Sequence, residues 1–155
     1  MKIAQMVIGL ILFLTATTIY AAEDSDDPYH LKGMYDMKIT IGDKVFDDIL
    51  HFDSVSEDHF CHTDSGVFCG DIEGKLIVPG VFEAVLEVGT YYVDYSKLSG
   101  QLEFQFYILA QENGKQFYVH YSGVQDNENT LIGEARLADE SLLGTFTAHK
   151  REEKP

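Results

Sequence analysis

The side chains of this chain best suited to metal binding or disulfide formation are its two cysteines and the histidines beside the first of them. Cys61 and Cys69 are the only cysteines, and His59 and His62 lie beside the first of them. Two thiolates and two imidazoles form a ligand set that holds tetrahedral zinc. On a strand, however, His59 and His62 point to opposite faces, whereas an even number of closely spaced cysteines favours a disulfide in an oxidising compartment. We therefore predict a disulfide between Cys61 and Cys69, with a zinc site as the alternative.

Other side chains capable of acid–base chemistry are scattered along the chain. Asp47 and Asp48 are adjacent, so on a strand they point to opposite faces and cannot share a proton. Three further histidines have strand registers that face away from the apolar side: His51, His120 and His149. The sequence has no Gly-x-Ser-x-Gly nucleophile motif, glycine-rich phosphate loop or calcium loop. We therefore predict no catalytic residues, no metal and no cofactor, and a protein that is not an enzyme.

The pattern that positions these side chains is an alternation of apolar and polar residues, which is typical of β-strands. Every second residue is apolar from Leu102 to Ile108, and the alternation resumes from Gln116 to Gly123. Between these segments, Asn113-Gly114 supplies the two positive-φ positions of a type I′ turn. The three segments together predict an antiparallel hairpin.

The same alternation extends from Gly33 to Lys150. It predicts strands at 35–41 and 44–52 around Gly42-Asp43, at 82–88 after Pro79-Gly80, at 131–137 and at 144–149. Residues 67–78 form one strand or a broken pair of strands, with bulges at Gly70 and Gly74. No segment after residue 22 carries an apolar stripe at helical spacing for ten residues. Seven or eight strands joined by short turns predict an all-β fold, an antiparallel up-and-down β-barrel of about eight strands, because closure removes the exposed edges.

The first residues of the chain are of a different kind. Lys2 is the only charged residue before Glu23, and an apolar segment runs from Ile3 to Tyr20 and ends at alanines. This composition predicts a secretory signal peptide at 1–21, with an uncleaved membrane anchor as the alternative. An acidic leader at 22–30, a single barrel domain at 31–151 and a C-terminal tail at 152–155 follow. We expect the protein to be exported, to the periplasm or beyond the cell.

The charge of the chain limits its partners. The formal net charge is −15, which repels nucleic-acid backbones and anionic membrane surfaces. We therefore expect no nucleic-acid partner and, after signal cleavage, no membrane association. The acidic surface serves solubility after export, or it steers a basic protein partner. The sequence leaves the oligomeric state open.

A resemblance to a known group of proteins rests on five short segments: Gly33-Met34-Tyr35, residues 46–52, His59-Phe60-Cys61, Gly133 to Leu137 and Gly144 to Ala148. In these segments the chain resembles bacterial lipocalin-like (calycin-type) small exported barrel proteins, families whose members largely lack an assigned function. True lipocalins begin with Gly-x-Trp, whereas Tyr35 takes that place in a chain without tryptophan. This departure affects the packing of the first strand under a late arginine, for which Arg136 and Arg151 are the candidates. The resemblance implies a barrel and a small apolar ligand.

Nine aromatic residues have an inward register: Tyr35, Phe46, Phe52, Phe82, Phe104, Phe106, Phe117, Tyr121 and Phe146. An eight-stranded barrel is only just wide enough for side chains, so these rings could fill its interior. The alternative is an aromatic-lined pocket beside the small residues Ala84, Gly133, Ala135, Gly144 and Ala148.

Two functions follow from these alternatives. In the first, the protein is a non-enzymatic binding protein for a small hydrophobic or aromatic molecule. The residues expected to line its pocket are Tyr35, Phe82, Phe104, Phe106, Phe117, Tyr121 and Phe146. We expect binding to depend on Phe104 and Phe106 rather than on any charged residue. In the second, the barrel is solid and its acidic surface, with loops 53–64 and 125–130, recognises a protein.

The predicted disulfide has a direct test. Thiol labelling of the unreduced protein should fail, and labelling should become complete after reduction, because both sulfur atoms are engaged in one bond. Two reactive thiols in freshly purified protein, or stoichiometric zinc, would reject the disulfide in favour of the alternative with His59 and His62.

Overall fold

The computed structural model describes residues 29–57, 67–94 and 100–152. These residues form nine β-strands and no helix: β1 (Gly33–Ile41), β2 (Lys44–Glu57), β3 (Val67–Val78), β4 (Phe82–Val85), β5 (Glu87–Asp94), β6 (Leu102–Glu112), β7 (Lys115–Asn127), β8 (Thr130–Leu137) and β9 (Leu142–Lys150).

All strand pairings are antiparallel, and the sheet closes on itself. β1 pairs with both β2 and β9, so the first and last strands are neighbours. β2 pairs in turn with β3. β4 and β5 pair with opposite halves of β3 and together occupy one position in the barrel. The result is an eight-stranded up-and-down barrel, which confirms the predicted fold class.

Two predicted hairpin turns are confirmed by their backbone angles. Asn113 and Gly114 have φ values of 51° and 76°, the two positive angles of a type I′ turn. Gly42 has a φ of 58° in the two-residue turn between β1 and β2. Glycine and asparagine tolerate these angles with little steric cost, so the turns fix the register of the flanking strands.

The predicted strand at 82–88 is wrong in its bounds. β4 ends at Val85, and the backbone N–H of Leu86 donates a hydrogen bond across to the Gly74 carbonyl at 2.9 Å. The chain then resumes as β5, in which Val88 has a φ of 50°. A β-branched residue rarely adopts this angle, so the local conformation is imposed by the surrounding sheet. The alternation of apolar residues continues through this break, so the pattern does not show it.

The predicted bulges at Gly70 and Gly74 are also wrong, because the irregularity lies on the partner strand. The register between β2 and β3 shifts between Phe52 and Ser54, while Gly74 lies opposite Phe52. A Cβ atom on Gly74 would come within 2.0 Å of the His51 carbonyl oxygen. The glycine therefore permits the bulged strand to approach closely.

The centre of the barrel is packed with aromatic rings. Phe52 contacts Tyr35, Phe104 and Phe106 edge-on, with ring centroids 5.7, 6.2 and 6.2 Å away. Tyr121 stacks on Phe106 at a centroid distance of 5.0 Å. All five side chains are buried. Edge-to-face and offset-stacked pairs of this kind add to the free energy gained by burying the rings.

A row of four residues across β6, β7, β8 and β9 completes this packing. Phe104 lies opposite Gly123, Gly123 opposite Gly133, and Gly133 opposite Phe146. The two rings lie over the two glycines, because a Cβ on Gly133 would be 2.6 Å from Cζ of Phe146 and one on Gly123 would be 2.9 Å from Cζ of Phe104. The space expected beside Gly133 is thus filled by aromatic rings.

The segment before β1 crosses the end of the barrel at which β1 begins and β9 ends, here called the terminal end. Leu31 is fully buried, and its carbonyl oxygen accepts a hydrogen bond from the Tyr35 hydroxyl at 2.7 Å. On the opposite side, the Gln125 amide donates to the Tyr29 carbonyl oxygen at 3.2 Å, and the Tyr29 ring contacts Tyr91. These contacts close the terminal end.

The cation over the first strand is a lysine. Lys150 Nζ lies 5.8 Å from the centroid of the Tyr35 ring and donates a hydrogen bond to the His30 carbonyl oxygen at 2.5 Å. Arg151 instead forms an ion pair with Asp36 on the outer face, and Arg136 pairs with Glu134. The Tyr35 ring therefore makes its cation–π contact with Lys150, while both candidate arginines are engaged in ion pairs elsewhere.

The packing over the glycine row generates a stability prediction. Gly133→Ala should lower the free energy of unfolding by about 1–3 kcal/mol, since its new methyl group would collide with the Ser122 carbonyl oxygen and the Phe146 ring. Ile132→Ala, on the neighbouring exposed residue, is the control and should cost clearly less. Urea unfolding of both variants measures the difference, and equal losses would contradict this account of the glycine row.

Candidate functional site

A cavity of about 210 Å³ lies inside the end of the barrel opposite the closed one. We call this the hairpin end, because the turns at 42–43, 79–81, 113–114 and 138–141 all lie there. Strands β1 to β4, β6, β7 and β9 contribute to the walls, and most of the lining side chains are aliphatic or aromatic. The cavity exists because the central aromatic rings do not extend to this end.

Three phenylalanines on three strands line the outer part of the cavity. Phe46 and Phe82 are 43% and 41% exposed, and Phe117 is half-buried. Ala110, directly opposite Phe117 in the β6–β7 pair, is too small to fill the space in front of that ring. Tyr121 is the buried aromatic residue of the lining and stacks on the Phe106 ring of the central packing.

Asp48 is the acidic residue of the cavity lining and the one buried polar residue in the described chain, with 7% of its surface exposed. The register of β2 accounts for its direction: Asp48 lies opposite the buried Met37 and two residues from the buried Leu50, on the same face. Asp47 points outward and pairs with Lys38 at 4.0 Å. The predicted opposite directions of the two carboxyl groups are confirmed.

The environment of Asp48 disfavours its charged form. Its Oδ1 atom has no hydrogen-bond partner among the described residues. Burial raises the pKa of the Asp48 carboxyl, and the negative charge of Asp47 adds to that increase. Burial also raises the pKa of the Tyr121 hydroxyl, with the charge of Asp48 as the second cause. No described basic side chain lines the cavity to offset this cost.

The structure divides the residues expected to line a pocket into two groups. Phe82, Phe117 and Tyr121 line the cavity at the hairpin end. The other four lie in the packed centre of the barrel: Tyr35, Phe104, Phe106 and Phe146. Phe104 and Phe146 also line a hollow of about 700 Å³ on the outer surface, together with Gly123 and Gly133. Phe104 and Phe106 stack on each other at 6.3 Å. The alternation of apolar and polar residues in the sequence predicts that all seven rings point inward, but it does not predict how far along the barrel each ring lies.

Of the wider hollows on the described surface, one of about 420 Å³ lies at the terminal end beside Tyr29 and Gln125, and two others lie over the outer face of the barrel. One, of about 700 Å³, extends over β5 to β9 and is bordered by exposed polar side chains such as Gln105 and Thr145. The other, of about 460 Å³, lies beside a stacked pair formed by Tyr107 and His120, whose ring centroids are 4.5 Å apart. Sequence reasoning missed that pair, although its residues lie opposite each other in the predicted hairpin. Neither of these two hollows is lined by a buried polar group that lacks a hydrogen-bond partner among the described residues.

The cysteine cluster falls largely outside the described residues. His59, Cys61 and His62 lie outside them, whereas Cys69 lies on β3 opposite Tyr92. The disulfide and its zinc alternative therefore stay predictions. His51 and His120 are half-buried on the outer face and His149 is exposed, as predicted. Within residues 29–57, 67–94 and 100–152, no group of three or more His, Cys, Asp or Glu side chains is placed to hold a metal ion.

No family model, curated protein or solved structure matches this chain. In the described part of the chain, no helix has the length and apolar character needed to cross a membrane.

The burial of Asp48 generates a pH prediction. Because the pKa of Asp48 is raised in the folded state, its burial does not lower the free energy of unfolding below about pH 4, where the carboxyl is largely protonated in the folded and the unfolded protein. The free energy of unfolding then falls as the pH rises from there through the folded-state pKa. Asp48→Asn should therefore raise the free energy of unfolding at pH 7 by about 1 kcal/mol and have little effect at pH 3.5.

Urea unfolding at both pH values measures this difference, and Asp47→Asn on the exposed face is the control for removing one charge. If Asp48→Asn raises the free energy of unfolding equally at pH 3.5 and pH 7, burial does not disfavour the charged form of the Asp48 carboxyl.

Proposed function

We propose that this protein is an exported, non-enzymatic binding protein that takes one small, largely apolar molecule into the hairpin end of its barrel. The observation that carries the proposal is the cavity, whose walls are mainly apolar and whose outer part is lined by partly exposed aromatic rings. Burying apolar ligand surface against such walls supplies affinity, and a few polar groups supply orientation. The N-terminal apolar segment and the even number of closely spaced cysteines in the sequence support export.

The cavity volume limits the size of the ligand. An apolar protein cavity of about 150 Å³ accommodates benzene. A cavity of about 210 Å³ therefore suits one ring with a short chain, or an aliphatic molecule of similar bulk. The closed terminal end supports the same limit, because Leu31 and the central rings occupy the rest of the interior.

Exposed apolar residues around the mouth support entry of the ligand from this side. Phe46 and Phe82, which line the cavity, are 43% and 41% exposed, and Val81, in the turn beside Phe82, is 74% exposed. Apolar side chains grouped around a cavity mouth lose contact with water when a ligand covers them.

The chemical groups in the cavity favour binding over catalysis. The ionisable side chains among the described lining residues are Asp48 and Tyr121. Nucleophilic catalysis requires a nucleophile and a base within hydrogen-bond reach of each other, and these two acidic groups do not supply that pair. Under this proposal, the chain functions in the way that lipocalin-like proteins with apolar ligands do.

The proposal is tested by titrating the isolated protein with propylbenzene and following backbone amide shifts by NMR. The shifts should concentrate at residues around the cavity, such as Phe117 and Leu143. Ala110→Leu should weaken binding tenfold or more, because the larger side chain occupies the cavity.

Ala138→Leu is the matched control, since it makes the same change at an exposed position on the outer side of the β8–β9 turn. It should leave propylbenzene binding unchanged. Absence of saturable shifts in the wild-type protein, or equal binding by the Ala110→Leu variant, would overturn the proposal in favour of surface recognition of a protein partner.

A further inference from the structure

Resting on the proposed function, we propose that the ligand of the hairpin-end cavity carries a protonated amine, and that the Asp48 carboxylate binds this ammonium group. The ligand class is a small primary amine with an aromatic or aliphatic body, such as an arylalkylamine. The inference comes from the combination of an apolar cavity and one buried carboxyl whose Oδ1 has no hydrogen-bond partner among the described residues.

Asp48 serves no visible structural purpose in its present position. Its neighbours on the inner face of β2, Phe46 and Leu50, are apolar, as is Met37 opposite it. An apolar side chain would fit this environment without the desolvation cost of a carboxylate. Buried carboxylates are normally paired with a cation or hydrogen-bonded. A ligand cation provides the pairing that the described residues do not.

The charges facing Asp48 favour a cation over a neutral hydrogen-bond donor. Tyr121, from β7, is the other ionisable group in the lining, and Asp47 lies behind Asp48 on the outer face. Neither group neutralises a carboxylate. A hydrogen bond between two charged groups is roughly twice as strong as one between neutral groups, and a site with little water strengthens it further. The net charge of −15 also concentrates small cations around the protein.

The depth of Asp48 matches a ring with a short chain. Along β2, Phe46 precedes Asp48 by two residues, so the backbone of Asp48 lies about 7 Å further along the strand, away from the hairpin end. Phe46, Phe82 and Phe117 then surround the apolar body of the ligand while its amine reaches Asp48. Tyr121 lines the same cavity and limits how far the amine penetrates.

The test compares 2-phenylethylamine with propylbenzene, because the two molecules have the same number of heavy atoms and differ at the end of the chain by an ammonium or a methyl group. Each is titrated at pH 7 into the wild-type protein and into Asp48→Asn and Asp47→Asn variants, with binding followed by amide shifts. We expect 2-phenylethylamine to bind the wild-type protein at least tenfold more tightly than propylbenzene.

Asp48→Asn should remove this preference, weakening the amine at least tenfold while propylbenzene binds as before or more tightly. Asp47→Asn removes the same charge from the exposed face and should keep the preference. If propylbenzene binds in the cavity but the amine binds no better, or if Asp48→Asn leaves the preference intact, the amine proposal is overturned and the proposed function stands. If the amine alone binds in the cavity, both proposals stand, and the absence of propylbenzene binding then reflects the missing ammonium group. If neither molecule binds in the cavity, both are overturned.

Discussion

The width of an eight-stranded barrel is the constraint on which the rest of this structure depends. Such a barrel encloses only enough space for its own side chains or for one small molecule. In this protein, Phe52 and the rings around it occupy the middle of the interior, and Leu31 occupies the terminal end. The space that remains lies at the hairpin end, beside small residues such as Ala110. The position of the cavity follows from where the large side chains stop.

The glycines of the barrel make this distribution of bulk possible. Gly123 and Gly133 face each other on neighbouring strands and leave room for the Phe104 and Phe146 rings to lie against the backbone. Side chains in place of these hydrogens would force both rings elsewhere in the interior. Glycine pairs covered by aromatic rings therefore determine how the interior is filled as well as how the strands approach each other.

Much of the fold was predictable from the sequence, because alternation and turn chemistry are local. The hairpin around Asn113-Gly114 is an example, since two positive φ angles admit few other residues. The break at Leu86 was not predictable, because apolar residues alternate straight through it and the break depends on a hydrogen bond to Gly74, far along the chain. The candidate site was predictable only in part. Alternation indicates that Asp48 and Phe46 share a face, but not that the face lines an unfilled cavity, since this depends on ring packing across the barrel.

The pairing of the first and last strands has a consequence for the timing of folding. Tyr35 pairs with Lys150, and Lys150 also binds the backbone of the segment that closes the terminal end. A growing chain therefore cannot close its barrel until residues 145–150 have been synthesised, whatever local hairpins form earlier. Contacts between residues so distant in sequence are slow to form, because a long loop must be ordered first. The growing polypeptide thus stays open at the seam between β1 and β9 until β9 has been synthesised, and no earlier hairpin can substitute for that pairing.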